Sequence, residues 1–227
     1  MIYRSIDIKW LGHASFVIKN ALEKIIYIDP FKLNDEKEEL EAADFIFITH
    51  SHYDHCSIED IRKIAKNGTI IVAPADVSSK FSHIDAKVEL KIAEPSTKMQ
   101  FDEAGIKFWC IPAYNTNKPF HEREEDWVGY VIDLNGVLVY HAGDTDIIPE
   151  MKSLSTANID IALLPIGGTY TMNAGEAAKA ASVIKPKLAI PMHYGSISKT
   201  GDKNEAAIFA KLCSSEEIDV KVMEIGK

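Results

Sequence analysis

Phe45-Ile46-Phe47-Ile48-Thr49-His50-Ser51-His52-Tyr53-Asp54-His55 joins a continuous apolar run to a cluster of imidazoles and a carboxylate. The run over residues 45–49 is rich in aromatic and β-branched side chains, the composition of a buried strand. Downstream, Ser57 suits a helix N-cap and Glu59 and Asp60 suit the positive end of a helix dipole, while Ile58, Ile61, Ile64 and Ala65 recur at helical spacing. The cluster is therefore expected in a loop between a strand end and a helix start, where α/β proteins concentrate their chemistry.

Imidazole and carboxylate donors suit zinc, iron(II) or manganese. His50 and His52 flank one residue and can turn toward one ion, which leaves Asp54 and His55 facing a second point. Four donors this close cannot all address one tetrahedral ion, so the spacing predicts two neighbouring metals and two-metal hydrolysis. A metal-free loop of this composition would leave several polar groups without partners.

Thr-His-x-His-x-Asp-His after an apolar strand resembles the signature of the metallo-β-lactamase-fold superfamily. Further matches are Trp10-Leu11-Gly12-His13-Ala14-Ser15-Phe16, Ile28-Asp29-Pro30, Tyr140-His141-Ala142-Gly143-Asp144-Thr145, Leu164-Pro165-Ile166-Gly167-Gly168 and Pro191-Met192-His193-Tyr194-Gly195. They resemble the branch of metal-dependent hydrolases related to ascorbate-6-phosphate lactonase and to the phospholipase D that hydrolyses N-acyl-phosphatidylethanolamine. The resemblance implies an α/β, four-layer αββα sandwich of two mixed sheets with helices on the outer faces, spanning residues 1–227 as one domain. It also implies a third histidine for the first metal at the strand end Pro112-Ala113-Tyr114-Asn115. Asn115 stands there instead, and asparagine is a poor zinc ligand. His121, in the next loop, is the candidate replacement, with Asn115 holding that loop or meeting substrate.

The remaining segments fit that frame. Residues 6–29 read as an antiparallel meander, with His13 at its first turn, which the resemblance places near the pocket floor, and Asp29 placed to hydrogen-bond a ligand histidine from behind. Residues 34–41 are strongly charged and read as a solvated surface. Asn67-Gly68 is expected to stop the helix that begins after Ser57, ahead of a strand over residues 69–73. Asn135-Gly136 predicts a two-residue type I′ hairpin. Its second strand leads to Asp144, which after Gly143 can approach and bridge two ions. Residues 159–164 and 188–191 read as strands, the second ending at His193, with a helix between them from Ala174 to Ile184. A last helix over 205–212 and a closing strand over 220–223 complete the pattern. Tyr170 follows the Gly167-Gly168 loop, which the resemblance makes a wall of the pocket.

The candidate metal ligands are thus His50, His52, Asp54, His55, His121, Asp144 and His193. His13, Asp29, Asn115 and Tyr170 are candidates for supporting ligands or touching substrate. The expected cofactors are two divalent ions, zinc first, with manganese or iron(II) as alternatives. The expected reaction is attack by a metal-bound hydroxide, oriented by Asp54, on an ester, lactone or phosphodiester. The alternative of a nucleic-acid-processing nuclease calls for a basic arm or an added domain, and a net charge of −9 over 227 residues opposes it. Diiron redox members of the fold usually carry Glu where this chain has His52. Cys56, Cys110 and Cys213 are odd in number and scattered, which predicts reduced thiols and a cytoplasmic protein acting on a small molecule. Nowhere do about 18 apolar residues run together, so no membrane span is expected. Oligomeric state is not legible.

Overall fold

Phe45 and Phe47 pack in one apolar cluster while Ile46 and Ile48 pack in another, so the period-two alternation of a single strand already defines two covered faces. A computed structural model describes residues 1–33, 40–195 and 203–226. Among the described residues the strands form two seven-stranded sheets, each ordered as in the sequence. The first contains β1 (Ile2–Tyr3), β2 (Ile6–Gly12), β3 (Ser15–Lys19), β4 (Ile25–Ile28), β5 (Ala43–Phe47), β6 (Ala65–Ala73) and β7 (Glu89–Ile92). The second contains β8 (Lys98–Phe101), β9 (Ile106–Pro112), β10 (Val128–Leu134), β11 (Leu138–His141), β12 (Ile161–Pro165), β13 (Leu188–Met192) and β14 (Asp219–Val220).

Each sheet is antiparallel over its first four strands and parallel over its last four. The inner faces meet through edge-to-face aromatic pairs, Phe47 with Phe108 at 5.1 Å and Phe47 with Tyr130 at 5.1 Å. Helix α1 (Ile58–Ile64) covers the outer face of the first sheet, where Ile61 and Ile64 bury against Tyr27, Ile46 and Ile71. Helices α2 (Ala174–Ile184) and α3 (Lys203–Ser215) pack beside the second sheet. This is the expected αββα sandwich of two mixed sheets.

Local chemistry explains most boundaries. Ser57 accepts from the Asp60 amide as the N-cap of α1, and Asn173 with Glu176 forms a reciprocal capping box on α2. Asn135 and Gly136 both have positive φ, as a type I′ hairpin requires. Two expectations are corrected. Asn67-Gly68 does not stop α1, which ends at Ile64, before the chain enters β6 at Ala65. Thr69 is the reason: its hydroxyl donates to the Ala43 carbonyl and accepts from the Lys66 amide, which draws the chain into strand pairing four residues early. The closing strand is shorter than the apolar pattern suggested, spanning only Asp219–Val220. Most of the charged segment over residues 34–41 lies outside the described residues.

Asp160 clamps the two sheets together at the end away from the site. It accepts from the Leu138 amide at 3.0 Å and pairs with Lys187 at 2.8 Å and with Arg4 at 3.1 Å, Arg4 lying in the β1–β2 turn. Burial would raise its pKa, but Lys187, the Leu138 amide and Arg4 together hold it below the usual carboxylate value. A depressed folded pKa contributes stability above the unfolded pKa of about 3.9, which is lost as pH falls through the folded value. Because both cations are half-exposed, Asp160→Asn is expected to cost about 1 kcal/mol at pH 7, or roughly 2–4 °C in Tm. Melting curves at pH 7 and pH 3 check this, since the difference between the two proteins should shrink at the lower pH.

No helix among the described residues is long and apolar enough to cross a membrane. Cys56, Cys110 and Cys213 are buried and unpaired, and burial pushes the Cys56 thiol up to about 12, which makes it inert rather than nucleophilic.

Candidate metal centre

The carboxyl ends of β2, β4, β5, β9, β11 and β13 all open on one edge of the sandwich, and each is followed within a few residues by a candidate side chain. The order of assembly runs from the rear of the site to its front. Asp29, fully buried after β4, is the rear anchor: Oδ1 accepts from the Thr49 amide at 2.8 Å and Oδ2 from the Thr49 hydroxyl at 2.6 Å. With its proton given to Asp29, Thr49 Oγ1 accepts from His50 Nδ1 at 2.9 Å. Asp29 Oδ2 likewise takes the Nδ1 proton of His55 at 2.7 Å. Nδ1 of each ring is thereby given a fixed partner and Nε2 faces forward, as expected of Asp29 from the sequence.

Asp144 follows β11 and enters from the opposite sheet. Its Oδ2 lies 3.2 Å from His193 Nε2, 3.4 Å from His121 Nε2 and 4.0 Å from His50 Nε2, and its Oδ1 lies 3.4 Å from His55 Nε2. Two glycines permit this approach. A Cβ on Gly129 of β10 would come within 2.8 Å of the His141 and Ala142 carbonyls, and Gly143, at φ 66°, would press a Cβ on the Thr49 side chain.

His121 is buried, at 4% exposure, although its loop is rich in charge. The loop folds back because Asn115 holds it: the Asn115 amide donates to the His121 carbonyl at 2.8 Å, and Nδ2 donates to the carbonyls of Phe120 at 2.9 Å and Tyr170 at 2.8 Å. His121 Nε2 then lies 3.1 Å from His52 Nδ1. Donor atoms of His50, His52 and His121 form one group lying within 4.8 Å of one another, and those of His13, Asp54, His55 and His193 form another. Asn115 and Tyr170 belong to neither group. Tyr170 lies at the rim, its ring edge-on to Phe120 at 4.9 Å, and Tyr53 is 76% exposed.

The electrostatics follow from burial around one anion. Burial lowers the pKa of His50 and His52 and brings His121 to about 4, so these rings are neutral donors at pH 7. Burial opposes charge on His55 too, yet Asp144 and Asp29 outweigh it and raise His55 well above the ordinary value. Burial would raise Asp144, but His193 and His55 hold it far below the usual carboxylate range. Asp54 is also depressed, against burial, by the hydrogen bond with His13 and the charge of His55.

Three supporting residues escaped the sequence reading. Trp127 packs its ring on His50 and His52, each at 4.9 Å, and on His121 at 5.6 Å, with its indole N–H donated to Asp76. Asp146 grips the loop after Asn115 through the Thr116 amide at 2.9 Å and the Lys118 ammonium. Lys80 donates to the Ser51 carbonyl at 2.6 Å and so steadies the histidine loop itself. Only Asp146 had a local sequence signal, its place two residues after Asp144.

Two facing mixed sheets with a histidine and aspartate cluster at the strand ends define the class: an αββα protein built around a metal-ligand centre. The chain belongs to the β-lactamase superfamily, because the profile described as "Beta-lactamase superfamily domain" matches residues 7–193. It is 40% identical over 200 residues to the UPF0173 metal-dependent hydrolase of Thermococcus onnurineus, covering 83% of this chain and 84% of that one. Among solved structures it resembles a protein of Parabacteroides distasonis described as a metal-dependent hydrolase, with a TM-score of 0.83, 31% identity, and coverage of 97% and 93%. It also resembles the metallo hydrolase Igni18 of Ignicoccus hospitalis, with a TM-score of 0.77, 26% identity, and coverage of 98% and 96%.

Proposed function

We propose that the protein is a metal-dependent hydrolase that holds two divalent ions, zinc by preference, and acts on a small-molecule ester, lactone or phosphodiester. One observation carries the reading: His50 Nε2, His55 Nε2, His193 Nε2 and Asp144 Oδ1 are all buried with no hydrogen-bond partner. Orphaned polar atoms are costly, and three imidazole nitrogens converging on one carboxylate fit cations. The donor set is imidazole and carboxylate, which suits zinc, manganese or iron(II) and not calcium or magnesium. His50, His52 and His121 would hold one ion, Asp54, His55 and His193 the other, and Asp144 would serve both.

Bound ions would supply Lewis acidity and a nucleophile available near neutral pH. The chain supplies the rest. Asp29 and Thr49 keep the proton of His55 and His50 at Nδ1, away from the reacting face. Trp127 excludes water from the rear of three histidines. Asp54, ionised and largely buried, orients the nucleophile; it is not a free general base. Tyr53, Phe120 and Tyr170 offer an apolar rim for the non-reacting part of a substrate. The acidic net charge of −9 favours a small molecule over nucleic acid as the partner. The three unpaired buried cysteines support a reducing compartment, the cytoplasm.

Elemental analysis of protein purified without chelator, followed by a panel of lactones, carboxylic esters, phosphodiesters and amides on zinc- and manganese-loaded samples, tests the proposal. We expect about two ions per chain and chelator-sensitive turnover of at least one ester class. Absence of transition metal, with reconstitution also failing, defeats it.

A further inference from the structure

We infer that His13 is a direct ligand of the second ion, giving that ion His13, Asp54, His55 and His193, so that the two halves of the centre are unequal. This rests on the two-ion reading above and extends it to a residue in the β2–β3 turn.

The geometry separates His13 from the supporting groups. Asp29 and Thr49 touch their histidines at Nδ1, on the side away from the cluster. His13 instead brings Nε2 to 3.0 Å from Asp54 Oδ2, and a ring nitrogen of His13 shares a 4.8 Å envelope with donor atoms of Asp54, His55 and His193. Its ring lies 3.9 Å from the His193 ring and 5.2 Å from the His55 ring, and it is only 1% exposed. A third imidazole wedged against two others inside a protein is poorly accounted for by packing alone, since it brings another polar ring where an aliphatic side chain would fill the space without a polar cost.

The backbone is built to aim it. His13 has φ 53° and His193 has φ 59°, both in the left-handed region that non-glycine residues seldom enter. The two are tied together: the His193 amide donates to the His13 carbonyl at 2.9 Å, and the Trp10 indole donates to the same carbonyl at 2.9 Å. Ser15 completes the turn by donating to the Asp29 carbonyl at 2.6 Å and accepting from the Phe31 amide at 2.8 Å. Strain of this kind is retained where the surroundings over-determine a functional conformation. One hydrogen bond thus couples a ligand from the first sheet to a ligand from the second.

With four protein donors of its own besides Asp144, the second ion should load first and leave last, while the ion at His50, His52 and His121 exchanges more readily. His13→Gln is the discriminating variant, because its amide reaches where Nε2 stood and can still donate to Asp54, but it is a poor zinc ligand. Chelator-competition titrations with zinc, and visible spectra of the cobalt(II)-substituted protein, read the outcome without any substrate. Direct ligation predicts that His13→Gln weakens one of the two ions by about a hundredfold or more, beyond what loss of a supporting hydrogen bond does, and changes the cobalt bands. An unchanged cobalt spectrum, at any affinity, overturns it. His13→Gly, which suits φ 53°, replaces the glutamine variant if that one misfolds, with added imidazole expected to restore the lost ion. Failure of the wild-type protein to bind metal would defeat the two-ion proposal itself, whereas two normal ions in both wild type and His13→Gln defeats only this inference.

Discussion

Asp144→Asn is expected to lower turnover on any responsive substrate by on the order of a thousandfold, about 4 kcal/mol of barrier, and to release metal in the same sample. Among the described residues, Asp144 is the one carboxylate within 4.0 Å of ring nitrogens of all four of His50, His55, His121 and His193. Replacing it by an isosteric amide preserves volume, so the sandwich should keep its Tm within a few degrees. It removes the carboxylate that reaches both histidine groups from the opposite sheet, and a neutral amide can neither bridge two cations nor offset their mutual repulsion. The pKa pattern gives an independent readout. His55 is raised first of all by Asp144, so in the metal-free variant its titration, followed by NMR, should move down toward the ordinary histidine range. A metal-free Asp144→Asn whose His55 pKa is unmoved, or a fully metallated variant with normal turnover, would contradict the bridging role.

How far the sequence revealed this centre depends on how local each signal was. His50, His52, Asp54 and His55 occupy six consecutive positions after an apolar strand, so composition and spacing sufficed. Asp29 could be read because it ends a strand before a proline, and its bonds to Thr49 and His55 match that reading. Trp127 could not be read, because nothing in its own segment signals that its ring packs on His50 and His52 from the other sheet as well as on His121. His13 was legible as a turn residue, but the partner that gives it meaning, Asp54, lies 41 residues away. The helix stop failed for the same reason in reverse. Asn-Gly is a sound local stop signal, but Thr69 reaches the Ala43 carbonyl on β5 and overrides it. Local rules located elements and ligand-rich loops; long-range hydrogen bonds decided their ends and their aim.

His121→Ala is the second variant expected to have a large effect, because a first group reduced to His50 and His52 retains only two neutral donors beside Asp144. Zinc sites with a substrate position open generally keep three protein ligands. The loss should therefore appear as one ion fewer per chain and a fall in turnover of about a hundredfold or more. Asn115 gives the control that separates a ligand from the loop that carries it. Its Nδ2 donates to the Phe120 and Tyr170 carbonyls, while its amide donates to the His121 carbonyl. Asn115→Ala removes the side-chain bonds to those two carbonyls and the 3.2 Å contact of Nδ2 with His121 Nδ1, and leaves the backbone bond, so the loop and ring should loosen without losing the histidine. It should weaken the same ion by only about 10- to 100-fold, the range typical of supporting groups, and saturating zinc should rescue its turnover where it cannot rescue His121→Ala. The burial of His121 amid a charged loop rules out a purely solvated role for the ring. The measurement that would defeat its place as a ligand is a His121→Ala protein holding two ions with wild-type affinity.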